Sequence, residues 1–596
     1  MKKDELFESM NEVDDKYIEI ADNYKGKKKI TPYVRWIAMA ACICLAVGIT
    51  VVTRQNKTST NRSFTKDVQT MSPASIATDT YEKEDVVPSI QNNYDEAFDV
   101  DSSKYEATEE WFAPSRTKRN DDYSYRNNET YEEVTANGFK SVYDEPLSTF
   151  SADVDTASYS NVRRMLEYGY PIDEIPNGSV RTEEFLNYFS YDYKGPKKGE
   201  PFGVNAQISK CPWNEDHDLL MLGLQTQKID FSDAPNSNIV LLIDVSGSMD
   251  EENKLPLLIK SFELLIDNLT QKDRISIVTY ASEDRVVLEG VPASKKEVIC
   301  DALESLTAGG STNGSGGITA AYDLAEEYFI KGGNNRVIIA TDGDFNVGLT
   351  SKEELFELVT EEKEKGIYLS CLGFGMGNYN DVTMETLADD GNGNYAYIDS
   401  LTEAKKVLVE ELGATLLTVA KDVKLQVEFN PLYVSEYRLI GYENRVMAAQ
   451  DFNNDAKDAG EIGAGHSVTV MYELVPAGQG SGDLKYQQSQ NTISDYAKNS
   501  DEWLTLKVRY KEPDEDTSKL LEYNFGNDDY KKKPTEDFVF ASCVAEFAMV
   551  ITDDYCLADG SLEHVKSIIE NMDLDDPYKK EFQEMVGYSY KSNYND

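Results

Sequence analysis

The feature that most constrains this chain is an apolar run, Ile239-Val240-Leu241-Leu242-Ile243, that passes without a spacer into Asp244-Val245-Ser246-Gly247-Ser248. A strand apolar on both faces belongs in a sheet covered on both sides, as parallel sheets are. The residues that follow alternate between helical and strand periodicity. Lys254–Leu269 reads as a helix with Pro256 in its first turn. Arg274–Tyr280 reads as a strand, then Lys295–Leu306 and Ile318–Phe329 as helices. Strand Arg336–Thr341 precedes a helix, Ser351–Lys365, with Ser351 as cap and Glu354 behind it. Strands Ile367–Phe374 and Tyr395–Ile398 and a long helix Leu401–Leu417 complete the series. This order predicts an α/β domain with a doubly wound, mostly parallel sheet over residues 236–420.

Period-two alternation flanks that domain on both sides. Val204, Ala206 and Ile208, then Leu220, Leu222 and Leu224, precede it. Val423, Leu425, Val427 and Phe429 follow it, then Val468, Val470, Tyr472 and Leu474, then Leu504, Leu506, Val508 and Tyr510. The expected architecture is a β-sandwich-like domain into which the α/β domain is inserted. Its parts are an N-terminal region, 141–235, with helices at Asp155–Tyr168 and Arg181–Phe189, and a C-terminal β region, 421–530. Residues 531–596 form a helical segment in which Thr535–Tyr588 reads as three helices.

Ahead of all this, Trp36–Val52 carries no charge, and residues 33–53 are long enough for one transmembrane helix. Tyr33 and Trp36 sit where interfacial aromatics belong, and Lys25, Lys27, Lys28, Lys29 and Arg35 bias residues 1–32 toward the cytoplasm. The expectation is a single-pass cell-membrane protein with a cytoplasmic N-terminal tail and extracellular C-terminal domains. Cleavage as a signal peptide and lipidation at Cys42 are the other fates of this segment. Residues 54–140 are polar, acidic and poor in aliphatic side chains, and read as a disordered linker.

The net charge of −48 repels nucleic acid, which is discounted as a partner. The only histidines, His217, His466 and His564, lie in unlike segments, which argues against a zinc hydrolase or a histidine triad. No CxxC or disulfide framework appears among the seven cysteines. No nucleophile–base pair is visible, so the chain is not expected to be an enzyme. Asp451-Phe452-Asn453-Asn454-Asp455 starts like a calcium loop but has Ala456 and Ile462 where glycine and glutamate belong, and reads as an acidic loop. Gly373-Phe374-Gly375-Met376-Gly377 lacks a phosphate-binding lysine and reads as a glycine turn.

Three loops can meet at one sheet edge: Asp244 to Ser248, the glycine-rich Gly309-Gly310-Ser311-Thr312-Asn313, and Thr341-Asp342-Gly343-Asp344. Ligands of doubly wound sheets bind beyond the C-terminal strand ends, where strand order reverses. Two carboxylates and three hydroxyls are all hard oxygen donors, suited to Mg²⁺. The pattern resembles the metal-ion-dependent adhesion site of von Willebrand factor A domains. The family's Asp-x-Ser-x-Ser falls on Asp244, Ser246 and Ser248, its loop threonine on Thr312 and its second aspartate on Asp342. The resemblance implies a Mg²⁺ or Mn²⁺ ion that coordinates an Asp or Glu of a protein ligand. Phe150–Tyr159 with Asn161–Arg164, and Asp458–His466, are similar to regions flanking the A domain in a family of bacterial envelope proteins, many of them lipoproteins; this chain departs in having an apparent helical anchor. A metal-dependent adhesion protein is thus implied, and an envelope assembly or signalling factor that relays binding to the tail is the alternative.

Overall fold

Alternating strands on either side of the α/β segment pair with each other across it. The computed structural model describes residues 129–594 apart from 153–154, 228–233, 311–315, 344–351, 378, 412–416, 458, 479–492, 514 and 516. The tail, the apolar run 33–53 and most of the linker therefore lie outside the described residues. Among the described residues no helix is long and apolar enough to cross a membrane.

Strands β1 (Lys140–Ser141), β2 (Leu147–Ser151), β3 (Phe202–Cys211) and β4 (Asn214–Thr226) come first. The α/β unit holds β5 (Ser237–Asp244), β6 (Arg274–Tyr280), β7 (Asp284–Pro292), β8 (Asn334–Thr341), β9 (Ile367–Phe374) and β10 (Tyr395–Ile398). After it come β11 (Thr418–Phe429), β12 (Val434–Ile440), β13 (Gly460–Gly463), β14 (Ser467–Pro476), β15 (Glu502–Lys511) and β16 (Lys519–Gly526).

One sheet has the order β1-β12-β14-β4-β3. Strand β4, before the α/β unit, pairs with β14, after it, with Leu222 opposite Val470. In the second sheet β11 pairs with β15 on one side, with β16 beyond it, and with β13 and β2 in succession on the other. Leu220, Leu222, Leu224, Val468 and Val470 from the first sheet share a core with Leu425, Val427, Leu504 and Leu506 from the second. The two sheets thus form a sandwich that the chain leaves after Thr226 and rejoins at Thr418. The neighbouring residues Leu219, Met221 and Met471 face the other way, into a helical layer. Strand β4 is therefore buried on both faces over residues 219–224, which explains that run's lack of polar side chains. The layer includes Glu536–Ile551, whose cap Thr535 accepts the Phe538 N–H at 3.3 Å. That helix is apolar all round because helices 562–569 and 577–594 cover its remaining side.

The α/β sheet has the order β10-β9-β8-β5-β6-β7, parallel except for the edge strand β7. Ile239, Leu241 and Ile243 face one helical layer, and Val240 and Leu242 face the other. Three elements differ from the sequence reading, the first of them helix Asp381–Asp390, which that reading leaves out. Strand β7 is an exposed edge, so its residues show no buried face for periodicity to reveal. The helix beginning at Leu401 is a short α-turn to Lys405, followed by a π-turn, Lys406–Glu410.

Buried arginines fasten the α/β unit to its frame. Arg163, on helix Ala157–Glu167, donates to Asp399 at 2.6 Å, Glu403 at 2.8 Å and Glu581 at 2.6 Å, so one guanidinium joins three segments. Arg181 reaches Asp381 at 2.6 Å and also contacts Glu184. Glu129, which composition assigns to the linker, pairs with Arg164 at 3.0 Å, and the Thr130 N–H donates to Tyr379 O at 2.9 Å. The linker's last residues are thus held because they complete a buried arginine.

Candidate metal centre

Strand order places the site. β5 and β8 are adjacent and parallel, and the chain reaches β8 only after building β6 and β7 on the other side of β5. The C-terminal ends of β5 and β8 therefore flank the point where strand order reverses, and they carry Asp244 and Thr341-Asp342.

Local hydrogen bonds fix the first loop. Asp244 Oδ1 accepts the Ser246 N–H at 2.8 Å, an Asx-type turn that folds the backbone back on its strand. Asp244 Oδ2 accepts the Thr341 hydroxyl at 3.0 Å, which ties β5 to β8. The Ser246 and Ser248 hydroxyls lie 2.9 Å apart on the same side of the turn. A third loop closes against this one. The Gly309 N–H donates to Val245 O at 2.8 Å, and Gly310 O accepts the Gly247 N–H at 3.1 Å. Gly310 has φ +83°, and a Cβ there would lie 2.5 Å from Ser282 Oγ, so this approach requires glycine. Thr312, two residues on, lies outside the described residues. Asp244, Ser246, Ser248 and Asp342 meet at one edge.

Asp244 and Asp342 are fully buried and Ser246 nearly so, while Ser248 is half-buried. Burial, reinforced by the like charge of Asp342, pushes the Asp244 carboxyl up to about 6. Asp342 Oδ2 accepts from Lys254 Nζ at 3.0 Å. Its other oxygen, Oδ1, is buried and has no hydrogen-bond partner among the described residues. An unpartnered buried carboxylate oxygen is costly unless something binds it. Among the described residues no three His, Cys, Asp or Glu side chains are grouped so as to hold a metal ion by themselves. Two carboxylates and two close hydroxyls instead suit a hard cation that keeps water in its shell. The residues present fit Mg²⁺ or Mn²⁺.

Lys254 is the site residue that sequence reasoning missed. Its one signal is position: it caps the N-terminus of helix Leu255–Asn268, where the helix dipole disfavours a cation and where no acidic side chain occupies the first turn. A buried lysine there needs an acidic partner from elsewhere.

This combination of a doubly wound sheet and a site at its switch point defines the class. Residues 238–410 match the family model described as von Willebrand factor type A domain, residues 125–221 that of von Willebrand factor, and residues 414–591 that of the YfbK C-terminal region. The protein is a bacterial von Willebrand factor A protein. More narrowly, the chain is 41% identical over 465 residues to the protein YfbK of Escherichia coli K12, covering 76% of this chain and 80% of that one, and it belongs to that family. The inter-alpha-trypsin inhibitor heavy chain H4 of Homo sapiens is 30% identical over 166 residues, covering 26% of this chain and 17% of that one. Among solved structures, the von Willebrand factor type A protein from Catenulispora acidiphila is similar at 16% identity and TM-score 0.34, covering 66% of this chain and 93% of that one.

Proposed function

We propose that this protein binds a protein partner through a divalent cation, Mg²⁺ or Mn²⁺, held by Asp244, Ser246, Ser248, Thr312 and Asp342, with an Asp or Glu of the partner completing the coordination. The observation that carries this reading is the buried, unpartnered Oδ1 of Asp342 beside two close serine hydroxyls. The cation supplies an electropositive point on an otherwise strongly acidic protein, to which a carboxylate can bind. The chain's own residues do the rest. Asp244 braces β5 against β8 through Thr341, and the Asx turn presents both serines. The site works by binding and not by turnover.

In the same reading the protein is a cell-surface protein, anchored in the membrane through residues 33–53 with its tail inside. The A domain's place in the family supports a protein partner. Capture of cell-envelope proteins by detergent-solubilised full-length protein tests the proposal. Retention is expected with Mg²⁺ and loss with EDTA or with Asp342→Ala. Equal capture under all three conditions overturns it. Protease protection of residues 1–32 in intact cells tests the orientation.

A further inference from the structure

Lys254 has a role that the metal-binding set leaves open. Its side chain is 4% exposed, and Nζ bridges Asp342 Oδ2 and Ser248 O, each at 3.0 Å. Both contacts are to loops of the site. The stem is held as firmly as the ammonium. It lies across Gly375, where a Cβ would approach Lys254 Cε to 2.3 Å and Cγ to 2.4 Å. Gly375 has φ +70° and its carbonyl accepts from the Tyr397 hydroxyl, so a turn suited to glycine provides the channel for the lysine. Lys254 is thus contacted along its stem and at its ammonium by loops of the site.

We infer that Lys254 is a built-in counter-cation that sets the affinity and net charge of the metal site, holding one oxygen of Asp342 so that the other alone faces the cation. This rests on the metal-dependent reading above. Two aspartates and a lysine sum to one negative charge; a divalent cation turns that into one positive charge. Without the lysine the same sum is two negative charges, and the loaded site is neutral. A buried positive charge this close weakens capture of a cation, because the interior screens poorly. The same charge leaves the loaded site net positive, as recognition of a carboxylate requires. Lys254 thus trades metal affinity for attraction toward an acidic ligand.

The test is a titration of the full-length protein with Mn²⁺ alone, with free Mn²⁺ followed by its electron paramagnetic resonance signal. The variants are Lys254→Met, which keeps the stem, and Lys254→Gln, which also keeps donors for Ser248 O and Asp342. Both are expected to bind Mn²⁺ at least tenfold more tightly than the wild type. Damage to the fold loosens a metal site, so tightening is not a structural side effect. Unchanged or weaker binding by either variant, with a wild type that binds, overturns the inference and leaves the metal site standing. No Mn²⁺ binding by the wild type or either variant overturns the metal reading itself, and the inference with it.

Discussion

Two buried charged regions of this molecule are built on opposite plans. At the boundary between the α/β unit and its frame, Arg163 and Arg181 are wrapped by acids from separate segments: Asp399, Glu403 and Glu581 around the first, Glu184 and Asp381 around the second. Those guanidiniums are consumed internally, and their strength lies in being closed. At the C-terminal edge of β5 and β8 a buried oxygen unpartnered among the described residues, Asp342 Oδ1, lies at a loop edge with two close serine hydroxyls, whereas Glu403 Oε1, also unpartnered, belongs to a carboxylate that Arg163 and Tyr188 hold between packed segments. A closed cluster fixes where domains sit, whereas an open one is prepared for something from outside. The contrast is why the proposed binding is assigned to the sheet edge and not to the larger ionic clusters.

The sharpest way to break the comparison is to open a closed cluster. Arg181→Met leaves Asp381 and Glu184 buried without their cation, and is expected to lower stability by about 3–5 kcal/mol in urea unfolding. A loss below about 1 kcal/mol would show that the frame clamp is not what holds the domains.

The opposite sign is expected at the open site. The folded-state value of Asp244, about 6, lies above the ordinary 3.8, so its ionisation opposes folding. That penalty is absent below about pH 4, grows between about 4 and 6, and is complete above 6. Asp244→Asn is therefore expected to stabilise the metal-free protein by about 3 kcal/mol at pH 8, and to make no difference at pH 4. Unfolding curves of the pair across pH check this. Equal stability at both pH values would mean that the carboxylate pair is not strained by burial.

A bound cation relieves the same penalty by another route. Mg²⁺ at a hundred times its Kd is expected to stabilise the wild type by about 2.7 kcal/mol, with EDTA reversing the effect, and to leave Asp244→Asn unmoved. Thermal melts with and without Mg²⁺ measure it. The scale is anchored by a pair that belongs to neither plan. Lys365, half exposed, meets Glu326 at 2.5 Å on the surface. Lys365→Ala is expected to leave the midpoint of the same urea unfolding essentially unmoved.

The α/β unit was legible because its strands are buried on both faces and end directly in their functional loops. Ile239–Asp244 and Arg336–Thr341 could be placed from apolar runs alone, and β5 and β8 extend them by only a residue or two. Asp244, Ser246, Ser248 and Asp342 follow from spacing after those strands. Lys254 was illegible because its meaning lies in Asp342, far along the chain, and its own neighbours are an ordinary helix start. The arginine clusters escaped for the same reason. Arg163 sits in a segment that reads simply as a helix, and nothing near it announces Asp399 or Glu581. Helix Asp381–Asp390 was missed because, although largely buried, it is too polar to show a clear apolar stripe. Period-two alternation showed that strands lie on both sides of the α/β unit, but not which strand pairs with which.

The pairing of β4 with β14 has a consequence for synthesis. Gln225 meets Ser467 in that ladder, with the whole α/β unit between them in the chain. At about 5–20 residues per second, β4 waits on the order of ten to fifty seconds for its partner to leave the ribosome. Until then one long apolar edge stands open, a template for unwanted pairing. The α/β unit, with every strand of its sheet supplied from within 237–398, can fold in that interval. The edge proposed to bind the cation is then in place before the frame around it is complete, and the last helices lock a domain that is already built.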